Sequence, residues 1–111
     1  MRAAGIWTLI VVAVWSGNVA AEAGWLPAAQ IKSLTVSHHG RYMVELDSSK
    51  TLKGCSQPNM YFIDFDALGA EQSYQMLLEA SIAKRPVQLY ITGRCALKGI
   101  SEVSSVRLPA P

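Results

Sequence analysis

Residues 60–92 read MYFIDFDALGAEQSYQMLLEASIAKRPVQLYIT, and within this stretch the apolar period changes twice. Met60 to Phe65 is a compact aromatic and β-branched run, the composition of a strand. From Ala70 to Lys84 the spacing becomes helical. Tyr74, Leu77, Leu78, Ser81 and Ile82 fall on one arc, with Gln72, Gln75 and Glu79 opposite, which predicts one amphipathic helix. Arg85-Pro86 ends it, because the residue before a proline is pushed out of the helical region. From Val87 to Thr92 the period returns to two: Val87, Leu89 and Ile91 alternate with Gln88, Tyr90 and Thr92.

Upstream, Ile31 to Ser37 suits a strand with Leu34 and Val36 on one face. His38-His39-Gly40 reads as a tight turn, with Gly40 able to take positive φ. Arg41 to Leu46 alternates cleanly, Tyr42, Val44 and Leu46 against Arg41, Met43 and Glu45, so the two runs form a hairpin. Gly24 to Gln30 is an extended lead-in containing Pro27, and Asp47 to Asn59 is a turn-rich loop carrying Cys55. Gly93 to Ser101 is a second loop carrying Cys95, and Val103 to Leu108 is a last short strand. The order β-β-β-α-β-β makes a mostly β domain with one helix. It matches a five-stranded OB-fold barrel, in which closure protects the sheet edges; an open α+β sandwich with the same element order is the alternative.

The first residues carry a different signal. Arg2 is the only charge before Glu22, Ile6 to Trp15 is almost wholly apolar, and small residues follow in Val19-Ala20-Ala21-Glu22-Ala23. These are the parts of a secretory signal. A membrane-spanning helix needs about 20 consecutive apolar residues, and this run is shorter and broken by Ser16-Gly17-Asn18. Residues 1–23 are therefore expected to be a cleaved leader, cut after Ala23 or, alternatively, after Ala21. Residues 24–111 then form a single exported domain, periplasmic or secreted, with no integral membrane segment. Two cysteines in an oxidising compartment are expected to pair, Cys55 with Cys95.

The net charge of +2 is spread over scattered basic residues, with Lys84-Arg85 the only adjacent pair. No concentrated basic stripe points to nucleic acid. Neighbouring side chains on a turn diverge, so His38-His39 reads as a hairpin tip rather than a metal pair. Asp64 and Asp66 read as carboxylates leading into a helix N-terminus. No GxSxG, no thiol–histidine pairing and no phosphate-cradling glycine loop occurs, so neither catalysis nor a cofactor or metal is expected.

Two features point to contacts. Trp25 and Tyr90 could form a sugar-stacking platform, since aromatic faces bind the apolar faces of sugars. Met76, Ala80 and Ala83 sit on the helix away from its main apolar arc and could serve self-association, small residues there permitting close helix approach.

The passage Leu68-Gly69-Ala70 … Tyr74 … Lys84-Arg85-Pro86-Val87-Gln88-Leu89-Tyr90 resembles the B subunits of the subtilase-cytotoxin and typhoid-toxin kind. Gly54-Cys55, Gly93-Arg94-Cys95 and Val106-Arg107-Leu108 are similar to motifs of small exported proteobacterial OB-fold proteins of unknown function. The resemblance implies an OB-fold and a homo-oligomer, a pentamer, that binds glycans on host surfaces. The chain is shorter than those subunits and lacks their extended C-terminal part, and their sugar-contacting serine motif matches no position here. The expected function is a non-catalytic exported binding module for a glycan or a protein. The alternative is an envelope accessory protein or enzyme inhibitor acting by protein–protein contact.

Overall fold

A computed structural model describes residues 22–48 and 54–110. Residues 1–21, where the leader is expected, residues 49–53 and Pro111 lie outside the described residues. The domain is mostly β with one helix. Its strands are β1 (Gly24–Trp25), β2 (Gln30–Ser37), β3 (Arg41–Asp47), β4 (Met60–Asp64), β5 (Gln88–Ala96) and β6 (Ile100–Arg107), and helix α1 (Ala70–Ala83) lies between β4 and β5. They form one six-stranded sheet in the order β1-β5-β6-β4-β3-β2. All neighbours are antiparallel except β4 and β6, which run parallel through Tyr61↔Ser101 and Phe62↔Glu102.

The expected hairpin is present, with His38 to Gly40 as its turn. Gly40 takes φ 93 and donates its N–H to the Ser37 carbonyl at 3.1 Å. The lead-in is more ordered than its sequence suggests. Gly24 and Trp25 pair with Ile91 and Tyr90, and Ala29 bridges Val87. The alternating faces work as expected on β3 and β5: Val44, Leu46, Leu89 and Ile91 are buried in one core with Leu26, Tyr61, Ile63, Val87, Val103 and the helix residues Ala70, Leu77 and Ala80. Burial pushes the Tyr61 phenol up to about 12, so the ring stays neutral within this core.

Three expectations are corrected. Cys95 is not in a loop: β5 extends through Ala96, and Cys95 pairs with Ser101 near the start of β6. The last two strands are long because the turn between them is tight, with Leu97 and Lys98 both left-handed and Gly99 donating to the Ala96 carbonyl at 3.0 Å. Helix α1 is also rotated from its expected setting. Ala80 is 1% exposed and part of the core, whereas Ile82 projects outward. Small side chains at Ala70 and Ala80 let the helix approach the sheet closely, so they occupy the contact stripe that larger residues would hold farther off. The helix ends in a Schellman-type closure: Arg85 N–H donates to the Ala80 carbonyl at 2.9 Å and Lys84 N–H to Ser81 at 3.3 Å, with Lys84 left-handed. Third, Asp64 and Asp66 do not serve the helix N-terminus. The helix begins after Gly69, with Glu71 the acidic residue of its first turn, and Asp64 is committed to an ion pair with Arg41.

The Cys55–Cys95 bond forms, with its Cα atoms 5.8 Å apart. It joins the segment before β4 to β5, and the same segment is stitched to the β5–β6 turn. Cys55 N–H donates to Ser101 Oγ at 2.7 Å, and Gln57 N–H to the Gly99 carbonyl at 2.9 Å. The approach at Gly99 leaves no room for a side chain. A Cβ there would collide with Ser56 Oγ and lie 3.2 Å from the Gln57 nitrogen, at a φ of 110 that L-residues rarely adopt. Gly99→Ala is therefore expected to cost about 2–4 kcal/mol, from backbone strain plus crowding. Gly40→Ala, at φ 93 but with nothing within 4 Å, should cost only about 1 kcal/mol. Urea midpoints of the two variants test this; equal losses would show that contact with the Ser56 segment contributes nothing.

Candidate functional site

Sheet register brings the two aromatic candidates together. Trp25 in β1 faces Tyr90 in β5, which faces Ser105 in β6, and Gln88 faces Arg107. These side chains share the face opposite the core, because Leu89 and Ile91 on the alternate positions are fully buried inside it. Trp25 and Tyr90 meet edge to face, ring centroids 5.4 Å apart at 80°. The Arg107 guanidinium lies 3.9 Å from the centre of the Trp25 ring. Its orientation is set by a short relay: Gln88 Nε2 donates to the Leu26 carbonyl at 3.3 Å, and Gln88 Oε1 accepts from Arg107 Nε at 3.0 Å. Trp25 remains 38% exposed. An aromatic surface flanked by fixed planar polar groups can take the apolar face of a ligand while hydrogen-bonding its hydroxyls.

The sequence pairs Trp25 with Tyr90, but Arg107 reads there only as one of the scattered basic residues and Gln88 only as an alternating position of its strand. Their period-two spacing from Ser105 and Tyr90 was visible. The partner strand and its register were not.

A second polar cluster lies on the outer surface of β3, β4, β5 and β6. Arg41 Nε is 3.0 Å from Asp64 Oδ1 without aiming its N–H at it, so the contact is an ion pair rather than an aligned hydrogen bond. Arg94 Nη1 is 2.6 Å from Glu102 Oε2 and 3.8 Å from Asp64 Oδ2. Thr92 Oγ1 donates to Glu102 Oε1 at 2.9 Å. Both guanidiniums roof the Phe62 ring, at 5.7 and 5.8 Å from its centre. Phe62 is fully buried although it points away from the main core. Beside this roof, His39, Gly40, Arg41, Asp64, Phe65 and Asp66 line an open hollow of about 440 Å³. The charges are mutually compensated, which marks the cluster as a structural cover for Phe62.

The remaining candidates separate. His38 and His39 lie against each other at the hairpin tip, ring centroids 4.0 Å apart and tilted by 38°. Met76 and Ala83 are exposed on α1, but Ala80 is not, so the three do not share a free surface. Among the described residues no group of three or more His, Cys, Asp or Glu side chains could hold a metal ion. No described helix is long and apolar enough to cross a membrane.

Fold and site together define a class: a small β-rich domain closed by one disulfide, with a cation-backed aromatic face at one sheet edge. No family description, no curated protein and no solved structure matches the chain.

Proposed function

We propose that this is an exported, non-catalytic binding module of OB-barrel type that holds a glycan on the Trp25–Tyr90 face. The observation carrying the proposal is the convergence of Trp25, Tyr90, Gln88 and Arg107 on one outer surface. A sugar offers C–H groups to the rings and hydroxyls to the guanidinium and amide. The barrel assignment is supported by a single bridge that links the chain just before β2 to the chain just before β5. Strands β1 and β2 are consecutive, and Ala29 and Val87 exchange both backbone hydrogen bonds, at 3.0 and 2.9 Å, just before Gln30 pairs with Asp47. The parallel β4–β6 pair among otherwise antiparallel neighbours is in keeping with that reading. Export is supported by the leader composition and by a disulfide that needs an oxidising compartment.

Trp25 is the sole tryptophan of residues 24–111, so its fluorescence reports this face directly. Titrating the disulfide-intact protein with a panel of neutral and acidic oligosaccharides should shift its emission saturably. Trp25→Ala and Tyr90→Ala should each weaken glycan-array binding about five- to thirtyfold, the loss of a stacking contact worth roughly 1–2 kcal/mol. An array without hits, on protein shown to be folded, removes the glycan reading.

One observation favours a second reading. Tryptophan, tyrosine and arginine are the residues that dominate protein–protein hot spots, and here all three meet. An accessory or inhibitory role by protein contact is selected if the sugar panel fails and a defined envelope protein or secreted enzyme binds wild type but not Trp25→Ala. Self-assembly is read out separately by light scattering of the mature protein; a monodisperse monomer at high micromolar concentration sinks the pentamer.

A further inference from the structure

Arg107 is a cation held in place with its charge uncompensated. Arg41 and Arg94 are ion-paired with Asp64 and Glu102. Arg107, exposed at the end of β6, has no carboxylate within ion-pair distance among the described residues. Its guanidinium is nevertheless fixed at two points. It lies 3.9 Å from the centre of the Trp25 ring, and its Nε donates to Gln88 Oε1 at 3.0 Å. The Gln88 amide is anchored in turn on the Leu26 carbonyl at 3.3 Å. A guanidinium carries its N–H donors in one rigid plane. With Nε engaged by Gln88, the end-on fork of Nη1 and Nη2 is the part left for a ligand. A fork held this way matches the two oxygens of a carboxylate, and much of its ordering precedes binding.

The aromatic side of the site decides what that carboxylate is attached to. The guanidinium covers one face of Trp25, so the open aromatic surface is the rest of Trp25, 38% exposed, and half-buried Tyr90, 5.4 Å away. A pyranose laid on this surface turns its C–H face to the rings and its rim groups sideways, toward the cation. In a hexuronate a carboxylate stands on that rim where a neutral hexose carries a hydroxymethyl group. Resting on the reading of this face as a sugar site, we propose that its ligand is an acidic sugar of hexuronate type. Arg107 selects the carboxylate over a neutral group, and Gln88 is the positioning residue that aims it. The selection comes from two charge-assisted hydrogen bonds to a fork already in place, which an ester of the same sugar cannot make.

The test is calorimetric titration of the disulfide-intact protein with trigalacturonate, with its methyl ester and with acetate. Wild type should bind the acid about tenfold more tightly than the ester. That ratio should fall about threefold or more when salt is raised from about 50 mM to about 500 mM, because the paired charges are exposed. Acetate, which lacks the ring, should bind at least about a hundredfold more weakly than the acid. Arg107→Met keeps an unbranched stem but removes charge and fork, and should bring the ratio of acid to ester to about one. Arg107→Lys keeps the charge without the fork and should retain only about a two- to threefold preference. Equal affinity of wild type for acid and ester, or a preference that survives in Arg107→Met, overturns the assignment and leaves the sugar face standing. Acetate binding as tightly as trigalacturonate shows a bare anion site and overturns the hexuronate. So does binding of neither galacturonate form by a protein that binds other sugars of the panel. A protein that binds no sugar at all overturns the reading on which the proposal rests.

Discussion

Reducing the Cys55–Cys95 bond should lower the melting midpoint of the domain by about 15 °C or more. The bond closes a loop with a sequence separation of 40 residues, for which the chain-entropy relation gives roughly 4 kcal/mol. In a domain of this size each kcal/mol moves the midpoint by about 4–8 °C. The residues around the bond add to the effect. Cys55 and Gln57 dock the segment before β4 onto Ser101 and Gly99, beside a turn whose Leu97 and Lys98 are both left-handed. That conformation costs an ordinary residue about 1–2 kcal/mol, so the turn depends on its neighbours to hold it. Calorimetry of the oxidised protein, the reduced protein and the Cys55→Ala/Cys95→Ala variant tests the expectation. A midpoint that reductant leaves unmoved would show that the bond contributes nothing to stability.

Phe62→Ala should cost about 3–4 kcal/mol, the loss of a fully buried aromatic, although its side chain lies on the outer face of the sheet. An ordinary outward-facing substitution would change stability by only about 0.5 kcal/mol. The difference arises because Arg41 and Arg94, fixed by Asp64 and Glu102, close over the ring. Removing the ring leaves two guanidiniums above a void and takes away both cation–π contacts. Phe62→Leu, which keeps most of the volume, should recover more than half of the loss. Urea denaturation of the three proteins decides. A loss below about 1 kcal/mol for Phe62→Ala would mean that the arginines collapse onto the sheet and that the cover is not rigid.

Much of the fold could be read from local pattern. Strand and helix order between Ile31 and Leu108 followed from changes of period, and Pro86 and Gly40 marked boundaries for stereochemical reasons that act within two or three residues. Where the structure differs from the local pattern, the deciding contact lies on another strand or across the sheet. Cys95 reads as loop because Gly93 and Gly99 flank it, yet pairing with Ser101 carries β5 through it. Ala80 reads as solvent-facing beside Glu79 and Ala83, but close approach to the sheet selects small side chains for the buried stripe. Asp64 reads as a helix-terminal acid until Arg41, from a neighbouring strand, claims it.

The apolar N-terminal run, the presence of two cysteines to pair and the apolar alternation belong to the sequence itself, since each depends on residue type and near-neighbour spacing. The placing of Arg107 and Gln88 beside Trp25 and Tyr90 belongs to the tertiary structure alone. Alternation tells which face of a strand a side chain occupies. Only the hydrogen-bonded register between strands determines which other side chain stands beside it.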